Sequence, residues 1–161
     1  MASFAAILLA VLAAAPHVRG ESERAVALLR DGTTRSETIR TLVAELERSD
    51  VFVFLDIDIH RGVLRGTTRL LGGSATARYL HVTVTFQVDP DRQVEMLAHE
   101  LEHCAEIARA PQVRDAAALR TYMAAIGRRL GVEEFETDAA RAIEFVVGRE
   151  LSQAQQRPRQ P

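Results

Sequence analysis

Apolar residues recur along this chain with two different periods, and the switches between them mark out its elements. From Thr34 to Asp50 the apolar positions Ile39, Leu42, Val43 and Leu46 keep the three-four spacing of one buried helical face. Thr34 and Glu37 are spaced as a capping box at its start. A shorter helix is predicted before it, over ESERAVALLRDG, closed by Gly32. At Val51 the period drops to two. Val51, Val53, Leu55, Ile57 and Ile59 share one face of a strand, and Phe52, Phe54, Asp56, Asp58 and His60 the other. The Gly-, Thr- and Arg-rich stretch 61–77 predicts a weaker strand with a turn at Gly72-Gly73. RYLHVTVTFQV then predicts another strand, with Leu80, Val82, Val84, Phe86 and Val88 inward.

Asp89-Pro90-Asp91 breaks that strand and starts a helix that Pro111 ends. Two more helices are predicted, over VRDAAALRTYMAAIGRRLG to Gly131 and over VEEFETDAARAIEFVVGREL. Helices, a small mixed or antiparallel sheet, then three helices make an α+β arrangement.

The first fifteen residues change the picture. Phe4 to Ala15 is an apolar run ended by Pro16, too short for a bilayer span of about 20 residues. It has the length of a signal-peptide core, although no basic residue precedes it. The expected organisation is a leader over 1–20, a single domain over 21–152 and a disordered tail over 153–161. Export to the periplasm or medium follows from the leader. The composition of the whole 161-residue chain, 47% hydrophobic and 26% charged, is ordinary for a globular domain. A net charge of −2 and the absence of a basic patch give no reason to expect nucleic acid as a partner. The one cysteine, Cys104, excludes an internal disulfide.

Chemistry concentrates in LAHELEHCAEIA, residues 97–108. On a helix, His99 and His103 lie one turn apart on the same face and can offer imidazole nitrogens to a single ion. Glu100 sits about 100° round the axis, where it can reach a water on that ion without taking a coordination position. Zinc lowers the pKa of such a water, and a glutamate so placed can accept its proton. Val94, Leu97, Ala98, Leu101, Ala105 and Ala108 form an inward stripe, so the motif helix is a packed core element.

A catalytic zinc needs a third protein ligand. In the last helix the apolar line through Ala139, Ala140, Ile143 and Val147 runs back to Glu136. A carboxylate at the head of a buried stripe is costly unless something cationic meets it; the alternative role is to favour a helix N-terminus. Glu106 is the rival. Three ligands from one straight helix would string out over about 10 Å, so Glu106 is read as supporting a ligand or forming a salt bridge.

HELEH followed at a distance by FETDAA resembles the HExxH-plus-glutamate zinc peptidases, the gluzincin branch of the zincins, in a compact form. The resemblance implies one Zn²⁺ held by His99, His103 and Glu136, with Glu100 as general base for hydrolysis of a peptide or protein substrate. It also implies a sheet whose edge strand borders the cleft, above the motif helix and the glutamate helix. The third histidine of the metzincin variant is absent, and no histidine follows His103. A transition-state stabiliser must then come from Tyr122, Tyr79, His81 or Arg141. The competing class is a non-catalytic binding domain on the same fold, with or without zinc. A di-iron bundle is excluded by the lack of a second E-x-x-H, and a deaminase site by the lack of C-x-x-C beside Cys104. Asp56, Asp58 and His60 share a strand face, which is more often the solvated side of a sheet than a metal site.

Overall fold

The computed structural model of the chain describes residues 15–59, 66–131 and 134–156. Residues 1–14 of the expected leader, His60, and residues 157–161 of the expected tail lie outside these. Among the described residues the architecture is α+β, with five helices and a small mixed sheet. Strands β1 (Val18–Gly20), β2 (Val51–Asp58), β3 (Gly66–Gly73) and β4 (Arg78–Thr85) form the sheet in the order β1-β2-β4-β3. The first three in that order run parallel, and β3 lies antiparallel against β4 at the edge.

The period-two reading holds through the middle of the sheet. Val51, Val53, Leu55, Leu80, Val82 and Val84 are all fully buried. It fails at the ends. Phe86 and Val88, expected inward, are 49% and 87% exposed. Among the described residues the ladder stops first: Asp58 of β2 pairs with Thr85 and Gly66 of β3 with Val84, and past the Phe86 amide, which donates to the Asp58 carbonyl, no pairing defines an inside. Gly72 and Gly73 pair with Tyr79 and Arg78 instead of turning. The turn falls at Ser74–Ala77, where the Ser74 hydroxyl accepts from the amides of Thr76 and Ala77. At the other edge, Val18 is 4% exposed and pairs with Val53, so the domain begins before residue 21.

Helices α1 (Glu23–Arg35) and α2 (Glu37–Glu47) supply the crossover that parallel β1 and β2 require. Gly32 does not close α1. It is buried inside the helix, facing Ile39 and Leu97. Ser36, not Thr34, caps α2, accepting from the Ile39 amide. Helix α3 (Pro90–Ala108) starts on Asp89 with Pro90 in its first turn. Its predicted stripe is buried except at its end: Val94, Leu97, Ala98, Leu101 and Ala105 are all inaccessible, and Ala108 is half-buried. Thirteen of its residues are buried, so α3 is the central element of the core. Truncating Leu97 or Leu101 to alanine there would cost about 2–5 kcal/mol.

Arg78, fully buried, ties α3 to the sheet. Its guanidinium meets Asp50 and donates to the carbonyls of Ile107, Ala108, Ala110 and Val113. Those acceptors include carbonyls left open at the end of α3, where a cation is favourable.

Helix α4 (Ala116–Ile126) is capped by Asp115 and ends at Gly127, four residues before the predicted stop at Gly131. Arg128–Arg129 (β5) then pairs antiparallel with Phe135–Glu136 (β6). Helix α5 (Asp138–Gln156) begins after this ribbon, not at Val132, and runs four residues into the expected tail. Ala140, Val147 and Leu151 are its buried positions, while Ala139 faces solvent. The Glu150 carboxylate holds its far half to the Ser36 and Thr38 hydroxyls at the start of α2.

Candidate metal centre

His99 and His103 stand on one face of α3 with ring centroids 4.9 Å apart and planes at 80°. Glu136 arrives from β6, not from the helix predicted to carry it. Ligand atoms of His99, His103 and Glu136 all lie within 4.8 Å of one another, and the group could hold a metal ion. His99 Nε2 is 3.4 Å from Glu136 Oε1. Donors about 2.0–2.2 Å from a tetrahedral ion stand roughly 3.3–3.6 Å apart, so that pair already has the required separation.

Two buried atoms of this group, Glu136 Oε1 and His99 Nδ1, have no hydrogen-bond partner. Buried polar atoms are ordinarily satisfied. A carboxylate oxygen left bare beside two imidazoles is what a cation would complete, and the N, N, O donor set suits one of borderline softness.

The histidines are held from behind. His103 Nδ1 is 2.9 Å from Glu106 Oε2, which assigns the ring proton to Nδ1 and leaves Nε2 as a donor of electrons. Burial would lower the His103 pKa, but the Glu106 hydrogen bond and the Glu100 charge outweigh it and raise the value. Glu106 therefore holds the His103 ring from behind. His99 Nδ1 is 3.3 Å from Glu144 Oε2 on α5, within ion-pair range but outside hydrogen-bond alignment. Arg92 grips the other Glu144 oxygen at 2.5 Å and Glu95 at 2.6 Å.

Glu100 is 5% exposed. Burial raises its pKa, against the lowering effect of His103 and of the Thr68 hydroxyl. Thr68 donates to Glu100 Oε2 at 2.8 Å from the edge strand. A Cβ on Gly66, two residues earlier, would meet Oε1 at 2.5 Å. The strand thus fixes one carboxylate oxygen and leaves room for the other.

These groups face a cavity of about 530 Å³ between β3, α3, α4 and the β5–β6 ribbon. Ile107, Leu119, Met123, Leu130 and Phe135 give it an apolar wall, and Arg69 and Arg120 also line it. None of the four candidate stabilisers does. Tyr122 donates to the Glu106 carbonyl at 3.1 Å. Tyr79 lies against Phe52 on the far face of the sheet, and His81 pairs there with Glu21. Arg141 is exposed on α5. Asp56, from the third constellation, accepts from Ser22 at the start of α1.

Sequence reasoning found the three converging residues and Glu100 but missed Gly66, Thr68, Glu144 and Arg92. A Gly-Thr-Thr run on a weak strand and a glutamate two turns past Glu136 were visible, but only the packing of β3 and α5 on α3 gives them meaning. No known protein family, curated protein or solved structure matches the chain.

Proposed function

We propose that this protein is a zinc-dependent hydrolase of peptide or amide bonds on a compact, zincin-like fold, acting after export. One observation carries the reading. A buried glutamate held by an edge strand stands beside a His-His-Glu donor set at the wall of a substrate-sized cavity. A purely structural zinc site is closed and has no need of a base.

His99, His103 and Glu136 would hold the ion. When bound, zinc supplies Lewis acidity and makes water at the site more acidic. Glu100 accepts the proton of the attacking water at Oε1, the oxygen that Gly66 leaves uncrowded, while Thr68 holds Oε2. Returning that proton to the departing amine regenerates the carboxylate. Arg69 and Arg120 place cationic groups on the described cavity wall, where a substrate oxygen would meet them. The antiparallel edge strand bordering the cavity supports the zincin-like assignment, as does the position of the motif helix beneath it. The apolar run Phe4–Ala15 supports export.

Metal analysis followed by Glu100→Gln tests the proposal. The wild type should carry one zinc and cleave an unfolded protein or a peptide mixture, and the variant should keep the metal and lose cleavage. A zinc-loaded wild type inactive on a broad panel would favour the non-catalytic binding domain.

A further inference from the structure

Glu136 is a candidate ligand outside any helix, and its backbone is pinned on both sides. Before it in space, Gly127 closes α4 and leads into β5, where Arg128 pairs with Glu136. A Cβ on Gly127 would stand 2.8 Å from the Glu136 carbonyl, 3.1 Å from the Met123 carbonyl and 3.1 Å from Thr137 Cγ2. The nearest two are backbone atoms, which cannot swing aside as a flexible side chain would. After Glu136 in sequence, Thr137 is 2% exposed, and its hydroxyl accepts from the Ala140 amide at the first turn of α5. The Thr137 carbonyl accepts from the Arg141 amide at 3.2 Å.

We infer that Gly127 and Thr137 are positioning residues for the metal ligand Glu136: the missing side chain of one and the capping hydroxyl of the other set the distance between β6 and the two histidines of α3. The inference rests on the metal-binding reading above. A shift of a few tenths of an ångström matters here because tetrahedral ligand distances tolerate little error, and residues that only orient ligands commonly carry 10–100-fold of metal affinity. Neither residue touches the ion, so both act through the Glu136 carboxylate.

The test is a zinc competition titration on the full chain, run on wild type, Gly127→Ala, Glu136→Ala and the double variant, with thermal melts of the metal-free proteins. Gly127→Ala should weaken zinc binding about 10–100-fold. In the Glu136→Ala background it should add nothing, because the group it positions is gone. An equal loss in both backgrounds would show a general structural effect and overturn the inference, as would unchanged affinity in Gly127→Ala. A wild type that binds no zinc would overturn the metal reading itself, and the inference with it. Should Gly127→Ala fail to fold, the Thr137 pair decides. Thr137→Ala should lower affinity and Thr137→Ser should restore it, and equal affinity in both would count against the inference.

Discussion

Gly66 and Glu100 meet across the gap between the edge strand and the central helix, where a side chain on the first would collide with the carboxylate of the second. The atoms it would meet are Glu100 Oε1 at 2.5 Å and Cδ and Cγ at 2.9 Å, all side chain and none backbone, so the Glu100 side chain must give way. Gly66→Ala should therefore leave stability and zinc content near wild type while hydrolysis falls by an order of magnitude or more, since about 1.4 kcal/mol of lost transition-state stabilisation is tenfold. Unchanged turnover in a zinc-loaded Gly66→Ala protein would show that Glu100 has no positional demand on β3.

Metal binding should separate ligands from their supports. One zinc per chain is expected, lost on His99→Ala or His103→Ala. Glu136→Ala should weaken binding more than Glu106→Ala, which removes only the hydrogen bond behind His103 and should cost about 10–100-fold. The reverse order, measured by competition with a chelator, would make Glu106 the ligand.

Arg78 should be the costliest polar side chain in the fold. It is fully buried, paired with Asp50, and bonded to four carbonyls around the end of α3. Arg78→Ala removes a donor from all four carbonyls and leaves Asp50 paired with Arg114, and a loss of about 3 kcal/mol is expected. Arg78→Lys should recover only part, because one ammonium cannot reproduce the planar fork. A shift in urea midpoint corresponding to under about 1 kcal/mol in Arg78→Ala would contradict this account.

Acid sensitivity follows from the same pair. The Arg78 hydrogen bond holds the Asp50 pKa below its ordinary value, against the opposing effect of burial. A folded-state pKa below the unfolded one contributes stability that is complete above the unfolded value, near pH 4, and is lost as pH falls through the folded value. Glu150 behaves alike: its Ser36 and Thr38 bonds overcome burial and lower its pKa. Asp50→Asn should give a flatter loss of stability below about pH 4 in urea titrations. Parallel acid limbs in wild type and variant would remove Asp50 from the explanation.

If the chain is processed on export, the new N-terminus should lie between residues 15 and 18, because Val18 is buried and paired with Val53. Cleavage after Gly20 would strip β1 from the sheet. Mass measurement of the exported protein distinguishes the two, and a mature chain starting at Glu21 would mean that β1 is dispensable.

Elements with a long, regular apolar pattern are legible in the sequence, as in β2, the core of β4, α2 and α3. Boundaries set by partners are not. Two glycines, Gly127 and Gly131, could each stop α4, and the choice falls to the first because Arg128 pairs with Glu136, a contact no local pattern encodes. Glu136 was found through a helical stripe that in fact starts after it. Glu136 still converges with the two histidines because a residue just ahead of a helix lies near the line of its buried face. Tyr122, Tyr79, His81 and Arg141 have suitable chemistry but lie outside the cavity lining, because side-chain chemistry does not encode which side of the sheet faces the cavity. That side is fixed by where the helices pack.

With no tryptophan in the chain, its intrinsic fluorescence belongs to two tyrosines. Tyr79 sits 40% exposed, 5.6 Å from the Phe52 ring on the face of the sheet away from the cavity. Tyr122 donates to the backbone of Glu106, the residue whose carboxylate meets His103. One emitter is thus bonded to the helix turn behind His103, and the other lies on the opposite face of the sheet. Tyr79→Phe isolates the Tyr122 emission and Tyr122→Phe leaves a reference, and a zinc-dependent change is expected in the first protein and not in the second.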